Sequence, residues 1–175
     1  VGTGCAISMA SASLMTEAVK AGAGLINDVR ALQAPCALTA AVDAKVPVCL
    51  MHMQNQPDSM QNNPQYQAVV TEVNDFLQQR KQTCVEAGIS ADQILLDPGF
   101  GFGKTVEHNF QLLAGLSSFS TFGFPVLAGL SRKSMINKVI KTMSMCRQKH
   151  LCVPAMPALL GNSLLSHFNS LENIN

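Results

Sequence analysis

Apolar residues gather in short unbroken runs through the middle of the chain, and each run ends on polar residues. "GLINDV" (residues 24–29) closes on an amide and an acid. "VPVCLMHMQ" (46–54) carries a histidine between two methionines, "QILLDP" (93–98) ends on an acid and a proline, and "FPVLAGLS" (124–131) ends on a serine. Runs without in–out alternation are what parallel strands covered on both faces require. Between them the apolar spacing becomes helical. Pro35 opens a stretch with Leu38, Ala41 and Val42 on one face. Asn63 and Pro64 offer a cap and a first-turn proline ahead of Tyr66, Val69, Val70, Val73, Phe76, Leu77 and Cys84, and Gly88 closes that helix. Phe110, Leu112, Leu113 and Leu116 predict a short helix, and Met135, Ile136, Val139 and Ile140 predict another after the fourth run. Residues 54–64 read as polar loop.

The order β-α-β-α-β-α-β-α predicts an α/β fold on a parallel sheet, open or closed into a barrel. Both architectures place function at the carboxyl ends of strands. Polar residues collect at those ends: Asn27 and Asp28, Met51 and His52, Asp97, then Ser131, Arg132 and Lys133.

The two termini do not continue this alternation. Residues 1–16 hold no charged residue, and residues 141–175 hold a single acid, Glu172. The expected division is a partial barrel over 1–141 and a divergent tail over 142–175, whose composition suits translation in a shifted frame after about Lys141.

Composition narrows the function classes. At 175 residues one domain is expected. Charged residues make up 13%, about half the usual share of roughly 25%, and the net charge is +1, which points away from nucleic acid and from a polybasic membrane anchor. No apolar run reaches the ~18 residues of a membrane span, and no charged segment precedes an apolar one as in a secretory signal. Six cysteines without a CxxC pair suggest reduced thiols and a cytoplasmic setting.

"PGFGFGKT" (98–105) nearly matches a phosphate-binding loop, but the position five before Gly103 is Pro98, and the G-x-G-x-G spacing is not the dinucleotide pattern. The glycines instead suit a loop folding over a ligand, with Phe100 or Phe102 as an apolar wall. Asp97 either caps that loop or aims a carboxylate into a pocket, where a ligand with two adjacent N–H donors would satisfy both oxygens. "SRKS" (131–134) is either a solvated basic turn or a helix start favouring an anion. His52 has no second histidine at metal spacing, so zinc is not expected. Met51 is plain core or soft packing against a flat ligand. Asn27 caps a turn or offers its amide to a heterocycle.

Together "GLINDVRAL", "PVCLMHMQ", "ILLDPGFGFGK" and "LAGLSRKSMI" strongly resemble dihydropteroate synthase, over about residues 16–141 and in one order. The resemblance implies a (β/α)8 TIM barrel, here incomplete at about strands 3–7. It implies a transferase of folate biosynthesis that condenses 6-hydroxymethyl-7,8-dihydropterin diphosphate with 4-aminobenzoate, releases pyrophosphate with the help of Mg²⁺, and is the target of sulfonamides. Homodimers are usual in the family. By the same resemblance Asp97 pairs with the pterin amino group and ring N–H, and Asn27 meets the ring's other edge. Met51, Phe102 and Gly129 line the pocket, Lys133 contacts the carbonyl side of the pterin, and Ser131 and Arg132 lie near the aminobenzoate. Asp97 and Lys133 are thus the expected catalytic pair.

The family pattern is broken at two places. Its third strand should end in Asp-Thr-Ser, and residues 7–13 read "ISMASAS"; its last should end in Arg-x-His-Asp, and the tail reads "LLSHFNSLENIN". The segments that carry the metal and diphosphate ligands have no counterpart, so this chain alone is expected to be inactive. The alternatives are a catalytically dead pterin-binding remnant, the pterin-binding domain of a methyltransferase, or an unrelated α/β phosphate-binding barrel.

Overall fold

A computed structural model of the chain describes residues 5–8, 11–54, 64–120 and 123–130. Four parallel strands, β1 (Cys5–Ser8), β2 (Ala23–Asp28), β3 (Val48–Met51) and β4 (Ile94–Asp97), lie side by side in chain order. The connections are helical: α1 (Ala12–Lys20), α2 (Ala37–Ala44) and α3 (Val69–Glu86), with α4 (Val106–Ala114) and α5 (Leu116–Ser120) following β4. Beyond them Val126 pairs in parallel with Leu96. The Leu96 N–H donates to the Pro125 carbonyl at 3.0 Å, and the Leu127 N–H to the Leu96 carbonyl at 2.8 Å. Repeated β-α units on a parallel sheet are the TIM-barrel pattern, here incomplete: among the described residues the sheet is open.

Strand pairing assigns the two faces. Ile26, Val48 and Ile94 lie in register, as do Leu50 and Leu96. These side chains join Met15, Ala41, Val73, Leu77, Leu112 and Phe119 in the core between sheet and helices. Because strand side chains alternate, Leu25, Asn27, Cys49, Met51, Leu95 and Asp97 fall on the opposite face, the one a barrel turns inward.

Three expectations change. The stretch 1–16, expected to break the alternation, instead contributes β1 and the first residues of α1; α1 buries Met15 and Ala18, and its small and hydroxylated residues hid a two-residue apolar seam. The helix expected to begin at Asn63 and Pro64 starts at Val69 instead. Its amino end is satisfied from inside, because Glu72 Oε1 accepts the Gln67 and Ala68 N–H groups, both at 2.8 Å. Tyr66 is therefore free of the helix. Of the run at 124–131, the described residues 124–130 pair with β4 only around Val126, since Pro125 has no N–H for a ladder. The end of α3 follows the sequence: Gly88, at φ +106°, donates to the Val85 carbonyl while the Ile89 N–H reaches Cys84.

Candidate functional site at the carboxyl ends of the strands

Asn27, Met51 and Asp97 share the inward face by register, through the pairs Asn27 with Cys49, Cys49 with Leu95, and Met51 with Asp97. Met51 and Asp97 are both buried. Asp97 is a loop cap, because its Oδ1 accepts the Gly99 N–H at 2.7 Å and its main-chain carbonyl accepts the His52 N–H at 2.9 Å. Its charge is felt nearby: burial, with the Asp97 carboxylate second, pushes the Cys49 thiol well above its usual range. Among the described residues Asn27 Oδ1 is buried without a hydrogen-bond partner. Such an acceptor costs roughly 1–3 kcal/mol until something donates to it.

Asp28 points the other way. It is fully buried, and burial raises its carboxyl above the usual range, partly countered by bonds from the Arg30 N–H (3.2 Å) and Leu32 N–H (2.7 Å). Those bonds hold a turn in which Ala31 and Leu32 both have positive φ. Arg80 of α3 closes the turn from outside, donating to the Ala31 carbonyl at 2.9 Å and the Leu32 carbonyl at 3.3 Å. Of the two polar residues ending β2, one builds the loop and the other faces inward.

The glycine-rich loop after β4 is anchored at several points. Phe100 turns into the helix-side core, whereas Phe102 is half-buried. Lys104, only 4% exposed, sends its ammonium back under the loop. Its Nζ lies 2.9 Å from the Gly99 carbonyl, 3.0 Å from that of Phe102, 3.3 Å from that of His52 and 3.0 Å from His52 Nδ1. The Tyr66 hydroxyl donates to the Gly103 carbonyl at 2.9 Å, and Asn109 Oδ1 accepts the Gly101 N–H at 2.7 Å. Two glycines are dictated by close approach. A Cβ on Gly99 would lie 1.9 Å from the His52 carbonyl oxygen, and one on Gly103 would lie 2.6 Å from that of Gln54. Sequence reading missed Lys104, Tyr66 and Asn109. The available signal was the lysine closing a glycine run, weighed above only against phosphate-binding motifs.

His52 is packed edge-on against Phe76, with ring centroids 4.9 Å apart. Burial, with the Lys104 charge second, lowers its pKa from 6.5 to about 3. The unfolded chain takes up this proton near pH 6.5 and the folded chain only near pH 3. The unfolded state therefore binds more protons between these values, and stability falls as pH drops through that window. About 2 kcal/mol is expected to be lost from this group between about pH 7 and 5. Urea midpoints at the two pH values should show the loss, and His52→Gln should flatten it; equal slopes would assign the pH dependence elsewhere.

Gly129 is exposed, and a Cβ there would meet nothing within 4 Å. Ser131, Arg132 and Lys133 lie outside the described residues, so their expected roles rest on the sequence. Among the described residues no cluster of three or more His, Cys, Asp or Glu side chains could hold a metal ion. Also among these residues, no helix is long and apolar enough to cross a membrane.

Known proteins match this arrangement closely. A family model described as "Pterin binding enzyme" matches residues 5–160. The dihydropteroate synthase of Haemophilus influenzae is 55% identical over 138 residues, which are 78% of this chain and 50% of that protein. The Escherichia coli K12 enzyme is 49% identical over 127 residues, 73% of this chain and 45% of its own length. Among solved structures, Yersinia pestis dihydropteroate synthase in a sulfonamide drug complex superposes with a TM-score of 0.75 at 50% identity, covering 78% of this chain and 50% of that one. The Stenotrophomonas maltophilia enzyme, with imidazole bound in its active site, gives 0.77 at 46% identity, covering 79% and 52%. The chain thus spans about half the length of the relatives it matches. Fold, motif order and these similarities together place the chain in the pterin-binding enzyme family, alongside the dihydropteroate synthases.

Proposed function

We propose that this chain carries the pterin-recognising part of a dihydropteroate synthase site and binds a pterin without turning it over unaided. The observation that carries the reading is the buried Asn27 Oδ1, partnerless among the described residues, on the same sheet face as the Asp97 carboxylate. Their strands are two spacings apart, about 10 Å, so side chains from each can meet opposite edges of one flat fused-ring heterocycle. Asp97 offers acceptors to an amino group and an adjacent ring N–H. Asn27 offers an acceptor to the other edge. Met51 and Phe102 supply apolar surface, and the bare Gly129 leaves space. Lys133 is assigned the carbonyl side of the pterin, and Ser131 and Arg132 the aminobenzoate end, all three by family resemblance.

Condensation with 4-aminobenzoate breaks a carbon–oxygen bond and leaves charge on diphosphate, which needs cations or a metal around it. Mg²⁺ would supply that neutralisation in the family, yet residues 7–13, "ISMASAS", include no acid to hold it. The purified chain, titrated with 6-hydroxymethylpterin in a calorimeter, should give a saturable heat. Incubated with Mg²⁺ and both substrates, it should release no pyrophosphate above the buffer blank. Steady release suppressed by a sulfonamide would make it a working synthase, and a flat titration would retire the pterin reading.

A further inference from the structure

We infer that Lys104 is a positioning residue for Asp97, fixing the carboxylate at the angle that a flat heterocycle bearing N–H donors requires; only the identity of that ligand rests on the pterin reading. Two residues stand between Lys104 and Asp97, and each touches both. Gly99 gives its N–H to Asp97 Oδ1 and its carbonyl to Lys104 Nζ. His52 gives its N–H to the Asp97 carbonyl, while its own carbonyl and Nδ1 face the ammonium. The lysine thus closes two short circuits, one reaching the acid's side chain and one its backbone.

The chemistry at the ammonium is specific. Four acceptors converge within 3.3 Å of Nζ. Three tetrahedral N–H donors can serve such a cluster, whereas a planar guanidinium spreads its donors in a plane. A neutral His52 is required, since an imidazolium has no acceptor to offer. Its burial against Phe76 and Tyr66 supplies that neutrality. Tyr66 and Asn109 hold the same loop further along, at Gly103 and Gly101, and serve as the comparison.

A double-mutant cycle on pterin affinity, with amide exchange as a second readout, tests the inference. In the 175-residue chain Lys104→Met should speed hydrogen exchange at the Gly99 amide by about tenfold or more and weaken 6-hydroxymethylpterin binding by about tenfold. In an Asp97→Asn background the same change should cost less than about twofold in binding, because the group it positions is gone. Tyr66→Phe should leave Gly99 exchange and pterin affinity within about twofold of the parent. If Lys104→Met does not fold, Lys104→Gln takes its place. Losses that multiply in the Asp97→Asn background would show that Lys104 does not act through Asp97 and would overturn the assignment. If the parent chain binds no pterin, the pterin reading fails separately, and Gly99 exchange alone decides: unchanged exchange overturns the positioning role, accelerated exchange supports it.

Discussion

Replacing Asp97 with Asn is expected to weaken pterin binding about 100-fold, the equivalent of roughly 2–4 kcal/mol for a charge-assisted pair lost and a donor left facing donors. Asn keeps an oxygen that can accept the Gly99 N–H, now 2.7 Å from Asp97 Oδ1, so the turn into the glycine loop survives. What is lost is the second acceptor and the negative charge, the two properties an amino group next to a ring N–H would read. Calorimetry on parent and variant at equal temperature and salt measures the effect, and a thermal melt of each checks that the fold is intact. Equal affinities would leave Asp97 as a loop cap and nothing more.

Gly99→Ala should have the largest structural effect of any single methyl added to the site. Gly99 has φ +69°, and its Cβ would fall 1.9 Å from a backbone oxygen, that of His52. No rotamer change relieves a clash with main chain, so either the β4 loop or the segment after β3 must move. Left-handed strain costs about 1–3 kcal/mol and forced overpacking a further 1–3 kcal/mol, giving roughly 2–6 kcal/mol in total. That is a large part of the stability of an ordinary domain, ~5–15 kcal/mol. A chemical denaturation curve should show the midpoint collapse, whereas Gly88→Ala, where nothing lies within 4 Å, pays only the left-handed strain and serves as the contrast. Similar midpoints for the two variants would mean that the loops yield easily.

The strands were legible because burial on both faces leaves continuous apolar runs; β3 and β4 fall within those runs and β2 begins one residue before its run. The short β1 was not, because "CAIS" sits in a stretch of small residues with no pattern of its own. The α3 boundary misled because Asn63 and Pro64 are a good local helix start, while the actual start is satisfied by Glu72 reaching back from within the helix. Asn27 and Asp97 could be picked out as polar residues ending apolar runs. Which of Asn27 and Asp28 faces inward follows from pairing register, which a single sequence does not print. The partners of Lys104 were not legible for a related reason: they are mostly carbonyl oxygens, and every residue has one.

The close approach of Gly99 to His52 also limits how this site can vary over generations. Every other amino acid reachable from a glycine codon by one base change carries a Cβ, and at this position any Cβ meets the same oxygen. Position 99 is closed to single-step drift unless the backbone after β3 shifts first, and Gly103 faces the same barrier against Gln54. Diversity in the pocket must enter through other positions, such as the half-buried Phe102. A lineage under selection to exclude a competing ligand would therefore be expected to record its changes there, with the glycines on either side unchanged.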